Sequence, residues 1–252
     1  MIEIKNVSKS YDGVRNAVDD LTLDIKDGEI FGFLGPNGAG KTTTLKMITG
    51  LLSLDSGSIN VNGYDIEQSP LEAKRRFAFV PDNPEVFLRL KGIEYLRFIG
   101  DIYGIDGPTR ESRVEHLTHR FGIHDVLNQM TKTYSHGMRQ KLILVGALLH
   151  DPETWILDEP MTGLDPSSSF QLKQMMREHA DAGKTVLFST HVLEVAEKVC
   201  DRLSVIDDGK LLFVGTMDQL KSRYTANSSL ESLFLELVGQ SERTATSGNG
   251  TW

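Results

Sequence analysis

The run GPNGAGKT at positions 35–42 fits the spacing G-x-x-x-x-G-K-S/T, with an apolar run, IFGFL, before it and a helical pattern, TTLKMITGLL, behind it. Gly35, Gly38 and Gly40 let the backbone wrap closely enough for its N–H groups to point at phosphate oxygens, and the helix start adds partial positive charge. In this pattern the Lys41 ammonium reaches β- and γ-phosphates and the Thr42 hydroxyl ligates Mg2+. A glycine-rich turn entering an ordinary helix would require neither residue. Downstream, TWILDEP ends an apolar run in two adjacent acids. Asp158 is placed to hold the Mg2+ hydration shell, and Glu159 to orient and deprotonate an attacking water, a role worth ~10²- to 10⁴-fold in rate. Alone, the two acids read equally as a solvated strand end; the phosphate loop upstream tips them toward chemistry. A second anion-ready helix start follows TYSHGMRQK at positions 133–141, where Ser135 and Gly137 precede an apolar helical run.

Those residues need a scaffold, and the surrounding pattern predicts one of the α/β class. IEIKNVSKSY, NAVDDLTLDIKDGE and GSINVNGYDI alternate apolar and polar residues, as half-buried antiparallel strands do, with turns at Asp27-Gly28 and Asn62-Gly63. IFGFLG, TWILD and TVLFST are short continuous apolar runs separated by helical stretches, the pattern of parallel strands buried on both faces. LSVIDDGKLLFVG reads as a late hairpin turning at Asp208-Gly209. The expected organisation is a phosphate-binding α/β core with an antiparallel β subdomain over 1–84 and 151–220, a helical subdomain inserted at 85–150, and a helical extension with a disordered tail over 221–252.

Composition narrows the function classes. A net charge of -8 in 252 residues offers no broad basic field, which argues against nucleic acid as the main partner. The longest apolar stretch, at 142–149, is far short of the ~20 residues that span a bilayer, and MIEIKNVSKSY lacks a secretory pattern. The expected location is therefore cytoplasmic, with any membrane supplied by another polypeptide. The single cysteine, Cys200, reads as a core position on a helix rather than a nucleophile.

GPNGAGKTT, YSHGMRQK, ILDEPMTGLDP and STH stand in the order and at the spacings of the phosphate loop, signature, Walker B with D-loop, and switch histidine of ABC transporter ATP-binding subunits. The chain resembles that family to about Gly239. The resemblance implies a phosphate-loop NTPase core with a mainly parallel sheet, and ATP hydrolysis with Mg2+. It implies an ATP site built from Tyr11, Gly35, Pro36, Asn37, Gly38, Ala39, Gly40, Lys41, Thr42 and Thr43, with Tyr11 stacking on adenine for ~1–3 kcal/mol. It also implies that Lys41, Glu159 and His191 are catalytic, that Thr42, Asp158 and Asp82 face the metal, and that Asp165 runs along a dimer seam. Two copies, or a copy and a homologous subunit, would close head to tail so that Ser135, His136 and Gly137 meet the ATP of the partner.

This signature departs from the family's common Leu-Ser-Gly-Gly-Gln at Tyr134, His136 and Met138, leaving His136 either near nucleotide or solvated. Asp82 stands where the family commonly has a glutamine, either as a working residue or, with Asn83 between Pro81 and Pro84, as a turn. FVPDNPEVFLRLKGIEYL and SLESLFLELVG resemble the branch serving drug, peptide, lipid or polysaccharide exporters, which implies a separate transmembrane permease subunit. The rival reading is a soluble ATPase of the same superfamily that remodels an intracellular complex. Such proteins usually carry paired cassettes, coiled-coil arms or basic patches, none of which is visible in the sequence.

Overall fold

Two sheets arise from the two sequence patterns. The computed structural model describes residues 1–82 and 88–223. The alternating segments form an antiparallel sheet of β1 (Ile2–Ser10), β2 (Asn16–Ile25), β4 (Ser56–Val61) and β5 (Tyr64–Asp65), in the order β2-β1-β4-β5. Its tight turn at Asn62-Gly63 takes positive φ at both residues, 51° and 84°, as a two-residue hairpin requires. The continuous apolar runs become β3 (Ile30–Leu34), β7 (Thr154–Leu157) and β8 (Thr185–Thr190). With β6 (Phe77–Val80), β9 (Arg202–Asp207) and β10 (Lys210–Gly215) they build a second sheet in the order β10-β9-β3-β8-β7-β6. All neighbours in it are parallel except the β9–β10 hairpin, which turns at Asp208-Gly209.

Strand periodicity sorts the core into layers. On β8, Val186 and Phe188 join a cluster with the helical side, whereas Leu187 between them faces the cluster shared with the antiparallel sheet. The first cluster also takes residues from α3 (Gly92–Ile102), α4 (Gly107–Arg120), α5 (His136–Leu148) and α6 (Pro166–Asp181). The segment read as an inserted helical unit thus shares one apolar cluster with the sheet. The second cluster packs Leu45, Met47 and Ile48 of α1 (Lys41–Ile48) between the two sheets, together with Ala73 of α2 (Pro70–Lys74). Helix starts follow side-chain caps: Asp106 accepts from Thr109 N at α4, Ser135 from Met138 N at α5, and Asp165 from Ser168 N at α6.

Cys200 differs from expectation. It lies one residue past α7 (Leu193–Val199), because the chain turns to extended geometry there to enter β9. Its thiol still packs inward: a Cβ on Gly32 of β3 would meet Cys200 Sγ at 2.5 Å. Burial pushes that thiol far above its ordinary pKa. After β10 the chain forms α8 (Met217–Ser222), while SLESLFLELVG and the tail lie outside the described residues.

Candidate active site

The phosphate loop leaves the buried end of β3 and enters α1 through Gly40, whose φ of 104° few other residues adopt. A Cβ at Gly40 would also stand 2.4 Å from the Ala17 carbonyl of β2, so the loop is pressed against the antiparallel sheet. The first four N–H groups of a helix have no partner within it, and α1 turns these donors toward the cleft in front of the loop. Lys41, only 6% exposed, folds back so that Nζ donates to the carbonyls of Gly35 at 2.7 Å and Pro36 at 3.1 Å. Ala39 turns its side chain into the core, leaving only its backbone for a ligand.

Strand order then brings the acids in. Because β8 lies between β3 and β7, Ser189 on β8 sits beside both the loop and Asp158. Thr42 Oγ1 donates to Asp158 Oδ2 at 2.8 Å, and Ser189 Oγ donates to Asp158 Oδ1 at 2.6 Å. Ser189 Oγ also accepts from Glu159 N at 2.9 Å. Glu159 holds φ of 46°, a left-handed conformation that costs a non-glycine residue ~1–3 kcal/mol and points to a functional constraint. Its Oε1 lies 3.0 Å from His191 Nδ1 and 3.5 Å from Lys41 Nζ, yet this buried oxygen has no hydrogen bond in good geometry. The carboxylate thus stands beside two nitrogen groups at the cleft.

Together Tyr11, Pro36, Asn37, Gly38, Gly40, Lys41, Thr42, Thr43, Asp82 and Glu159 line a cleft of about 300 Å3. Tyr11 is exposed, and its hydroxyl lies 3.2 Å from Thr43 Oγ1. A neighbouring recess of about 270 Å3 shares Tyr11, Ala17 and Gly38 with this cleft. Burial, then the negative charges of Asp158 and Glu159, raise the Asp82 carboxyl above its usual range, while His136 and His191 pull it down. Asn83 lies outside the described residues.

The signature residues gather elsewhere. Ser135 caps α5, and Tyr134 and Met138 turn inward: the Tyr134 ring is 2% exposed and its hydroxyl donates to Val126 O at 2.7 Å. Tyr134 thus lies in the apolar cluster and the half-buried Met138 packs against it. His136 stays exposed and abuts Gly163, while Asp165 caps α6 and pairs with Lys141 at 2.7 Å. Sequence reasoning assigned nothing to Ser189, although it opens the quoted STH motif; its partners become visible only with the strand order.

A glycine-rich loop between a parallel strand and a helix, with acids ending the next strand but one, defines a phosphate-loop nucleotide-binding protein. The ABC transporter family profile matches residues 18–162. The linearmycin resistance ATP-binding protein LnrL of Bacillus subtilis is 35% identical over 231 residues, covering 92% of this chain and 74% of LnrL. The daunorubicin/doxorubicin resistance ATP-binding protein DrrA of Streptomyces peucetius is 39% identical over 226 residues, covering 90% and 68%. Among solved structures, the ATP-binding subunit of an ABC transporter superposes with a TM-score of 0.88 at 34% identity, over 94% of this chain and 99% of that one. The chain belongs to the ABC transporter family as one of its ATP-binding subunits, with the ATPase activity of that class.

Proposed function

We propose that this chain hydrolyses Mg2+-ATP in a head-to-tail dimer and drives export through a separate transmembrane subunit at the cytoplasmic face. The observation that carries the catalytic part is the Glu159 carboxylate, held in a strained backbone conformation beside Lys41 and His191 at the phosphate cleft. In this reading the loop N–H groups and Lys41 bind the β- and γ-phosphates, Tyr11 stacks on the adenine, and Glu159 takes the proton of the attacking water. His191, with Nδ1 3.0 Å from Glu159 Oε1, faces the γ-phosphate. The Thr42 hydroxyl and the carboxylates of Asp158 and Asp82 are hard oxygen donors that fit Mg2+. When bound, that ion neutralises charge on the phosphates; Ser189 keeps Asp158 oriented for it.

Dimerisation is supported by Ser135 and Gly137, which stand at a helix start and do not line the cleft. That helix start has the donors and dipole to receive a second nucleotide from a partner subunit. Transport is supported by the relatives, two of which are named for resistance to linearmycin and to daunorubicin/doxorubicin, and this favours export over a soluble remodelling role. Among the described residues no helix is long and apolar enough to cross a membrane. The test is Glu159→Gln: ATP binding should persist, hydrolysis should fall by ~10²-fold or more, and an ATP-dependent dimer should accumulate in gel filtration. A Glu159→Gln protein that hydrolyses ATP at the wild-type rate removes the proposed base.

A further inference from the structure

The helix start that would receive the partner's ATP touches the loop that carries this chain's own acid. The loop from Glu159 to Asp165 is a run of hydrogen-bonded turns. Glu159 N donates to Ser189 Oγ, Thr162 N donates to Glu159 O at 3.0 Å, Leu164 N donates to Met161 O at 3.3 Å, and Asp165 is fixed by its cap and by Lys141. At the apex, Gly163 holds φ of 78°. A Cβ there would stand 2.5 Å from His136 Cδ2 and 2.8 Å from Nε2, and a Cβ on Gly137 would stand 2.7 Å from Gly163 O. The imidazole edge and the bare Gly137 backbone therefore fill the space over Gly163. His136 is exposed and Tyr134 and Met138 anchor the helix into the core, so folding does not explain an imidazole at this position.

We propose that His136 is a positioning residue for Glu159: its ring bears on Gly163, so engagement of a γ-phosphate at the start of α5 sets the placement of this chain's own general base. The inference rests on the proposed roles of Glu159 and of the α5 start, and adds a steric link between one nucleotide site and the other. Two hydrogen-bonded turns, closed by Leu164 N on Met161 O and Thr162 N on Glu159 O, connect Gly163 to the Glu159 backbone.

The experiment measures ATP binding and steady-state hydrolysis by the full chain. His136→Gly should leave ATP affinity and KM within about threefold and lower kcat by about five- to tenfold. His136→Phe keeps a flat ring over Gly163 without the N–H groups, and should restore kcat to within about threefold of wild type. Gly163→Ala, which meets both the 78° φ and the His136 ring, should lower kcat by about tenfold or more. Unchanged kcat in His136→Gly, or a His136→Phe protein as impaired as His136→Gly, overturns the proposal; the latter result assigns His136 a direct polar contact with phosphate instead. Should Gly163→Ala fail to fold, as a circular dichroism spectrum would reveal, the Gly and Phe variants at 136 decide alone. Full hydrolysis by Glu159→Gln, or none by wild type, sinks the underlying assignment rather than the link.

Discussion

Replacing Ser189 by alanine isolates the network that no local motif reveals. Ser189 and Asp158 are 0% and 1% exposed, so neither bond lost in Ser189→Ala is readily replaced by bulk water. One is a donation to a carboxylate at 2.6 Å and the other an acceptance from the Glu159 amide at 2.9 Å. A hydrogen bond to a charged group contributes ~1.5–3 kcal/mol and a neutral one ~0.5–1.5, so the substitution should cost ~2–4 kcal/mol of stability. For a chain of this length that lowers the thermal midpoint by about 5–15 °C. Urea denaturation followed by circular dichroism gives the free energy directly, with an unchanged m-value confirming that the folded state is otherwise intact. Ser189 does not line the cleft, so ATP affinity should change only a few-fold while kcat falls as Asp158 and Glu159 lose orientation. A stability loss under about 1 kcal/mol together with wild-type kcat would mean that Thr42 alone orients Asp158, and the argument would fail.

Other consequences follow from the same geometry. Gly40→Ala meets both the 104° φ and the Ala17 carbonyl at 2.4 Å; ATP affinity should drop by about tenfold or more in calorimetry, and an unaltered affinity would show that the loop is not pinned to β2. Asp82→Ala should leave ATP binding within about threefold but reduce hydrolysis, with Asp82→Gln recovering part of it; equal rates for all three proteins would leave Asp82 a turn residue. Burial pushes His179, stacked on Trp155, down to about 4, and His150, stacked on Tyr103, down to about 4. Their neutral forms are favoured in the fold, so their contribution is complete above the unfolded value near 6.5 and is lost as pH falls from there toward 4. Each contributes up to ~1.4 kcal/mol per pH unit in that window. Urea midpoints at a series of pH values should decline accordingly, and His179→Phe should flatten the decline; a parallel curve would contradict the assignment.

The sequence by itself determined the features governed by short-range backbone chemistry. Gly38 and Gly40 at fixed offsets before Lys41 and Thr42 define the loop because the phosphate-binding conformation is local, with positive φ at both glycines. Asn62-Gly63 and Asp208-Gly209 define hairpins for the same reason, and the continuous runs at β3, β7 and β8 announce strands covered on both faces. The motif series also placed the chain in its family. Tertiary structure decided what depends on which strand lies next to which. Only the insertion of β8 between β3 and β7 makes Ser189 a joint partner of Asp158 and Glu159. Only the packing of α5 on the loop after β7 sets His136 over Gly163 and Lys141 against Asp165. Propensity and periodicity act over a few residues and cannot encode such pairs. Strand order and helix docking are settled by apolar burial summed over the whole chain, and the shared cluster of helices and sheet is the physical record of that sum.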